Sequence, residues 1–530
     1  MNSGYLCIVL HAHLPYVHHP EYEQFFEEHW LFEAISECYL PLVAMLDRLH
    51  SDKVDYRLTL SLSPTLLTMW RDPLLQSRYQ RYLQQQLQLA ELEISRTVQQ
   101  PALQRLAQMY AGLFRGHLNT YRDHYQGDLL SAFLKHQHTG KLELITTAAT
   151  HGFLPLLNVN AASVRNQIKV GIDTFTAQTG LQPRGFWLPE CGYYPGLEEL
   201  LKTNDIEYFF VDSHGLLNAD PIPAAGVYQA LNCPNGVSVF GRDPATSQQV
   251  WSATTGYPGD ADYREFYTDL GFERDIADLP GFVIDANTRV NTGIKYYRVT
   301  GANQDKQVYD PVIAQRKARL HAADFISKAQ AQISALSAEM PDIPVITAPF
   351  DAELFGHWWF EGPLWLEEVL RLSSSNTEGL RCTTPGAVLD AAPPRLTVQP
   401  IASSWGEAGY SEYWLNASND WIYPLLHKAG AELEKLVSDL YSLNLNELQH
   451  RALNQAVRSL LLAQASDWAF ILKSGTTVEY AKKRVYDHLA RFNYLHDAIR
   501  KNRINERYLA ALEIMDDIFP GLDFRDYAVG

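Results

Sequence analysis

Short apolar runs alternate with longer stretches of helical spacing from the N-terminus to about residue 394. Tyr5-Leu-Cys-Ile-Val-Leu10 reads as a buried strand and ends in His11-Ala-His13-Leu-Pro-Tyr16. Glu28 to Leu49 has helical spacing of Trp30, Ile35, Leu42 and Leu46, and Tyr56 to Leu62 alternates as a strand. Leu142 to Ala148, Ile206 to Val211, Val237 to Phe240 and Val345 to Thr347 predict further strands, with Phe282-Val-Ile284 as one more. The run Gly185-Phe-Trp-Leu-Pro189-Glu190 predicts a strand that stops at the proline, which cannot donate to a ladder, and leaves Glu190 at its mouth. Helices are expected over Ser163 to about Thr179 and about Pro311 to Met340. The Gln- and Leu-rich block from Pro64 to about Thr139 is helical and too long for a simple crossover, so it reads as an insertion. Past Pro394 the texture changes, and Trp421 to Phe519 is almost wholly helical in pattern.

Strands alternating with helices imply an α/β fold with a parallel sheet. His11, His151, Glu190, Asp212 and Asp351 follow five different strands. An open sheet gathers a site only at a switch point, whereas a closed barrel gathers one from many strand ends, so the pattern favours closure. The expected organisation is a barrel from residues 1–63 and 140–395, a helical insertion at 64–139 and a helical C-terminal domain at 396–530. Its strand count, seven or eight, is open at this point.

Composition narrows the class. At 530 residues the chain exceeds one ordinary core. The net charge of -17, from 44 Lys plus Arg against 61 Asp plus Glu, argues against nucleic acid or an anionic membrane as partner. A neutral substrate suits it better. The five cysteines are scattered without CxxC spacing, which argues against a disulfide framework or a zinc–thiolate site. With no basic leader and no stretch long enough to span a bilayer, the expected location is cytoplasmic.

Aromatic residues make up 12% of the chain, 11 Trp and 29 Tyr among them, and flat apolar rings stack well on sugars. Trp30, Trp358, Trp359, Trp405 and Trp414 are candidate platforms, although a tryptophan is more often core than ligand-facing. Gly406 and Gly409 flank Trp405 and suggest a flexible, open segment. Glu190 and Asp351 are the acids best placed among aromatics, and glycoside cleavage needs two carboxyls flanking the bond. Burial against Trp358 and Trp359 would raise the pKa of Asp351, as a general acid requires. Taken alone, Glu190 also fits a solvent-facing turn. His11-x-His13 admits a second class, a metal-dependent barrel hydrolase completed by His151, Asp212, His214 or His357. The same imidazoles could instead bond sugar hydroxyls. Tyr257, between Gly256 and Pro258-Gly259, reads as an exposed loop tip, either a lid or plain surface.

His11-Ala-His13-Leu-Pro-Tyr16, Gly185-Phe-Trp-Leu-Pro-Glu190, Val211-Asp212, Phe350-Asp351-Ala-Glu-Leu-Phe-Gly-His-Trp-Trp359 and Ser404-Trp405-Gly, in this order, resemble glycoside hydrolase family 57. The Asp351 motif, the Ser404-Trp405-Gly-Glu segment and the helical tail look like the family's α-glucan branching enzymes. The resemblance implies an incomplete (β/α)7 barrel with a helical insertion and an all-helical C-terminal domain. It implies a retaining transglycosylase, working as a monomer on α-1,4-glucan without metal or other cofactor; the same residues serve an α-amylase or a 4-α-glucanotransferase of the family, which differ in acceptor placement. Glu190 then matches the nucleophile and Asp351 the acid/base. His11, His13, Trp30, His151, Trp359, Trp405, Trp414, Asp467 and Thr476 fall where similar proteins line sugar subsites. Tyr257, in the loop from Trp251 to Tyr267, resembles the tyrosine of a loop that shields the intermediate from water.

Overall fold

The computed structural model describes residues 4–252, 254–282, 284, 288–301, 305–375 and 379–528. Its strands are β1 (Gly4–Ala12), β2 (Leu58–Leu62), β3 (Leu142–Thr147), β4 (Gly185–Trp187), β5 (Tyr208–Val211), β6 (Leu231–Asn232), β7 (Ser238–Gly241), β8 (Val345–Asp351) and β9 (Leu380–Cys382). They form one curled sheet in the order β6-β7-β5-β4-β3-β2-β1-β8, with β9 also pairing with the start of β1. Every pairing from β7 round to β8 is parallel, and only β6 runs antiparallel, on β7.

Seven strands thus curl into a barrel left open between β7 and β8. A backbone hydrogen bond from Asp243 N to Thr347 O (2.8 Å) spans the gap, and Gln332 donates to Asp243 Oδ1 across the same seam (2.9 Å). This is the incomplete (β/α)7 barrel expected from the resemblance. The two-residue β6 and three-residue β9 have no counterpart in the sequence reading. At Phe282–Ile284, expected as a strand, Val283 lies outside the described residues, and Phe282 and Ile284 belong to no strand.

Alternation along the strands divides the core into two. Cys7 and Val9 of β1, Ile145, Trp187, Tyr208, Phe210, Phe240 and Val345 fill the interior. Leu6, Ile8 and Leu10 face outward into the larger cluster shared with the helices. His11 continues the inward series of Cys7 and Val9 and lies flat on Trp187, with ring centroids 4.6 Å apart and planes 8° off parallel. Registry then fixes its lateral neighbours: Ser61 on β2 and Asp351 on β8.

The block after β2 is helical as expected: Pro64–Arg71, Pro73–Arg96, Pro101–Asn119 and Leu129–His138. Proline opens three of these helices, where the missing N–H costs nothing, and Ser63, Asp72 and Asp128 cap theirs from the side chain. The irregular segment between β7 and helix Pro311–Glu339 packs on this block. Gln86 donates to Thr292 O, Tyr110 to Lys295 O and Tyr296 to Glu93, all at 3.0 Å or less. The C-terminal region holds helices Ile422–Leu440, Glu447–Ala463, Ser466–Ser474, Val478–Arg500 and Glu506–Met515. No helix among the described residues is long and apolar enough to cross a membrane.

One local irregularity bears on the site. The helix that begins at Glu28 and ends at Ser51 contains a π-turn at Ile35–Tyr39. From it Glu37 meets His357 (2.6 Å), Cys38 bonds Ala352 O (2.9 Å) and Tyr39 donates to Glu353. The loop after β8 is therefore held at three successive points. Gly356 makes the approach possible: its φ is +111°, and a Cβ there would lie 1.7 Å from Glu37 O.

Candidate active site

Glu190 and Cys191 follow β4 with φ of 60° and 50°, a region side-chain-bearing residues seldom enter. His151, after β3, has φ 56°. Such strain persists only where surroundings over-determine it. Here the turn is closed by Cys191 N to Leu188 O (2.8 Å), Gly192 N to Pro189 O (2.9 Å) and Trp405 N to Glu190 O (3.0 Å).

The Glu190 carboxylate faces the C-terminal region. Trp405 Nε1 donates to Oε2 (2.9 Å), Ser466 Oγ donates to Oε1 (3.1 Å), and His151 Nδ1 lies 3.8 Å from Oε1. Burial pushes its pKa up to about 7, against the two donors, with the Asp467 charge adding to the rise and His13 opposing it. Asp351, at the end of β8, is held well above the usual carboxylate range by burial, then by the charges of Glu353 and Glu190, while Arg242 pulls it down. The Glu190 charge is thus felt at Asp351. Burial shifts both towards the neutral form.

The imidazoles form a stack. His11, His13 and His151 lie within 20° of parallel, with His13 4.0 Å above His151. His11 is 2% exposed, and protein atoms take both its nitrogens: Ser61 Oγ (3.1 Å) and His151 Nε2 (2.9 Å). His13 Nε2 donates to Asp467 (3.2 Å to each oxygen), and its Nδ1 has no protein partner. His214, one of the alternative metal ligands, faces acceptors from both nitrogens, Asp212 (3.3 Å) and Gly409 O (2.7 Å), which raises its pKa. His357 is engaged by Glu37. Among the described residues no group of three or more His, Cys, Asp or Glu is placed to hold a metal ion.

The aromatic candidates separate. Trp405 is half-buried, edge-on to Trp187 (5.1 Å) and under the Arg242 guanidinium (5.3 Å). Its segment is not the loose one the two glycines suggested. Gly406 packs on the Trp414 ring, and Gly409 adopts φ +82° while its carbonyl accepts from His214. Trp414, 1% exposed, stacks on Phe153 (4.5 Å), and Trp359, also 1% exposed, lies among Tyr263, Phe355 and Trp365. Both rings are core, so neither offers a free face to a sugar. Trp358 is exposed but stacked on Phe266 (4.3 Å). Trp30 is half-buried, edge-on to Tyr480, and Thr476 is exposed just past helix Ser466–Ser474.

Tyr257 departs from its expected exposure. It is 8% exposed, donates to Asp324 (2.7 Å) and packs on His321 and Trp365. Helix Pro311–Glu339 supplies an acceptor and an aromatic face that a reading of the loop alone could not foresee.

Three contributors were missed. Ser466 touches Glu190, and its position directly before Asp467 was the available signal. Arg242 bonds Asp212 (3.3 Å) and covers Trp405; it directly follows strand β7, at the same end of the sheet as His11 and Asp351. Trp251 is 53% exposed with its ring 6.4 Å from Trp405, the open face that Trp414 lacks.

Comparison with known proteins places the chain in a family. The sequence pattern of glycosyl hydrolase family 57 matches residues 7–370, and that of the 1,4-alpha-glucan branching enzyme C-terminal domain matches residues 425–527. The α-amylase AmyC of Thermotoga maritima is 44% identical, with a TM-score of 0.92 over 100% of this chain and 99% of its own. The GH57-type branching enzyme of Pyrococcus horikoshii is 32% identical, with a TM-score of 0.89 over 99% and 97%. The 1,4-alpha-glucan branching enzyme TK1436 of Thermococcus kodakarensis is 31% identical over 97% of this chain and 77% of its own. With that family's pattern running from β1 to the helix beyond Asp351, the chain belongs to glycosyl hydrolase family 57.

Proposed function

We propose that the protein is a retaining 1,4-alpha-glucan branching enzyme. Glu190 attacks the anomeric carbon of an α-1,4-linked glucan while Asp351 gives its proton to the departing oxygen. The glycosyl ester on Glu190 is then opened by the 6-hydroxyl of an acceptor chain, with Asp351 now the base, and an α-1,6 branch results. Trp405 and Ser466 steady the carboxylate, His13 and Asp467 offer polar contacts to sugar hydroxyls, and Trp251 offers a stacking face. The observation that supports transfer over hydrolysis is the branching-enzyme match across residues 425–527, in the region that supplies Ser466 and Asp467 to the cleft. The reading carries with it a barrel interrupted at 64–139 and completed by 396–530, acting as a cytoplasmic monomer.

A second reading, α-amylase, is supported by the 44% identity to AmyC. The same carboxyls serve both reactions, and the acceptor decides between them. Incubation with amylose, followed by enzymatic debranching and chain-length analysis, separates the two. New α-1,6 linkages support branching; new reducing ends without branch points support hydrolysis and overturn it.

A further inference from the structure

Behind Glu190 the side chains form a line: Ser466 Oγ, His151 Nδ1 (3.0 Å), then His151 Nε2 to His11 Nε2 (2.9 Å), then His11 Nδ1 to Ser61 Oγ (3.1 Å). All four residues are buried, and they come from β1, β2, the turn after β3 and the start of helix Ser466–Ser474. Their donor and acceptor roles are not free choices. An ionised carboxylate only accepts, so Ser466 gives its one hydrogen to Glu190. With that hydrogen committed, Ser466 can only accept from His151, so His151 carries its hydrogen on Nδ1. Two ring nitrogens 2.9 Å apart need one hydrogen between them, and burial keeps both rings neutral. The hydrogen between them therefore belongs to His11 Nε2, and His11 Nδ1 is bare to accept from Ser61.

We infer that Ser61, His11, His151 and Ser466 form one polarised hydrogen-bond chain whose direction is set by the proton on Glu190. When Glu190 is ionised, every donor points towards it. When Glu190 is protonated, the indole N–H of Trp405 keeps Oε2 an acceptor, so the acid hydrogen sits on Oε1 and faces Ser466. Ser466 then donates to His151 Nδ1, His151 Nε2 donates to His11, and His11 Nδ1 donates to Ser61. The two arrangements differ by one proton, that of Glu190, and by the tautomer of both histidines. Asp467, His13, Asp351, Cys191 and Tyr423 also face Glu190 electrostatically, and none of them belongs to the line.

The four are positioning residues. Aligned dipoles in a water-poor interior reinforce one another and favour the charged nucleophile against its burial. The chain's direction follows from the carboxylate alone and holds whichever acceptor opens the intermediate.

Neutron diffraction, which locates the hydrogens, tests this on wild type at alkaline pH and on Glu190→Gln. Wild type is expected to carry hydrogen on His151 Nδ1 and His11 Nε2. In Glu190→Gln, Trp405 retains the amide oxygen, the amide nitrogen faces Ser466, and both histidines are expected in the opposite tautomer. The same tautomers in both proteins would overturn the inference. In Ser61→Ala, which cannot touch substrate, kcat on amylose is expected to fall roughly two- to fivefold with KM unchanged. A change in KM with kcat intact would count equally against it.

Discussion

Trp405 holds Glu190 twice: its backbone N–H donates to the Glu190 carbonyl at 3.0 Å, and its indole N–H donates to the Glu190 carboxylate at 2.9 Å. One residue outside the barrel thereby fixes both the strained turn and the side chain it presents. The pose of Glu190 is decided by the segment after residue 396 as much as by β4.

Trp405→Phe keeps an aromatic ring near Trp187 and removes the indole N–H together with part of the ring surface. A hydrogen bond to a charged group is worth about 1.5–3 kcal/mol, so kcat is expected to fall roughly 10- to 100-fold. Because that bond lowers the Glu190 pKa, the acid limb of kcat/KM should also move to higher pH. An unmoved limb would assign the indole to stacking alone.

The pH profile follows from the two carboxyls. The proposed attack requires Glu190 ionised, and its pKa sits at about 7, so kcat/KM should rise as pH passes through about 7. It should fall again where Asp351, held well above its ordinary range, loses its proton. Both limbs belong to the coupled pair. Glu353→Gln preserves an acceptor for His13 N and the Tyr39 hydroxyl while deleting a charge that raises Asp351. The alkaline limb should therefore shift to lower pH while the acid limb moves little.

Stability carries its own pH signature. Burial raises Glu361 to about 7, and its Oε2 has no partner. A carboxyl whose folded pKa exceeds its unfolded one contributes stability below about 4.5, and that contribution is lost as pH rises through about 7. The loss amounts to about 3 kcal/mol at most. Glu361→Gln retains an oxygen for Tyr309 and should flatten this part of the Tm-against-pH curve, measured by calorimetry between pH 4.5 and 8.

Tyr257→Ala is expected to lower branch points relative to new reducing ends, if the loop shields the intermediate as its resemblance implies. Asp324→Asn, which still offers the tyrosine hydroxyl an acceptor, should leave that ratio alone. Chain-length analysis of both products decides, and an unchanged ratio in Tyr257→Ala removes the shielding role.

Much of the barrel was legible because buried parallel strands must read as short apolar runs. The residues just past them, His11, His151, Glu190, Asp212 and Asp351, stood out against that texture. What escaped was tertiary. A strand of two or three residues, such as β6 or β9, is too short to show a period. Trp359 and Trp414 looked like Trp405 in sequence, and only packing distinguishes a ring buried on Phe153 from one bonded to a carboxylate. Tyr257 looked exposed because its partner, Asp324, lies 67 residues away. Ser61 and Ser466 looked like ordinary small polar residues, since the line they terminate exists only once β1, β2 and the C-terminal helices meet.

The π-turn at Ile35–Tyr39 limits what lengths this chain can take. Its wide turn accommodates one residue more than a regular α-helix would there, and regular helices propagate better. Deleting a residue from the turn would tidy the ladder and leave the flanking turns in place, yet remove one of three consecutive side chains that reach the neighbouring loop. Glu37, Cys38 and Tyr39 could not then all meet the loop that follows Asp351. A helix buried beside the sheet is thus intolerant of a single-residue deletion that an exposed loop would absorb. Homologues that keep this acid should keep the extra residue too.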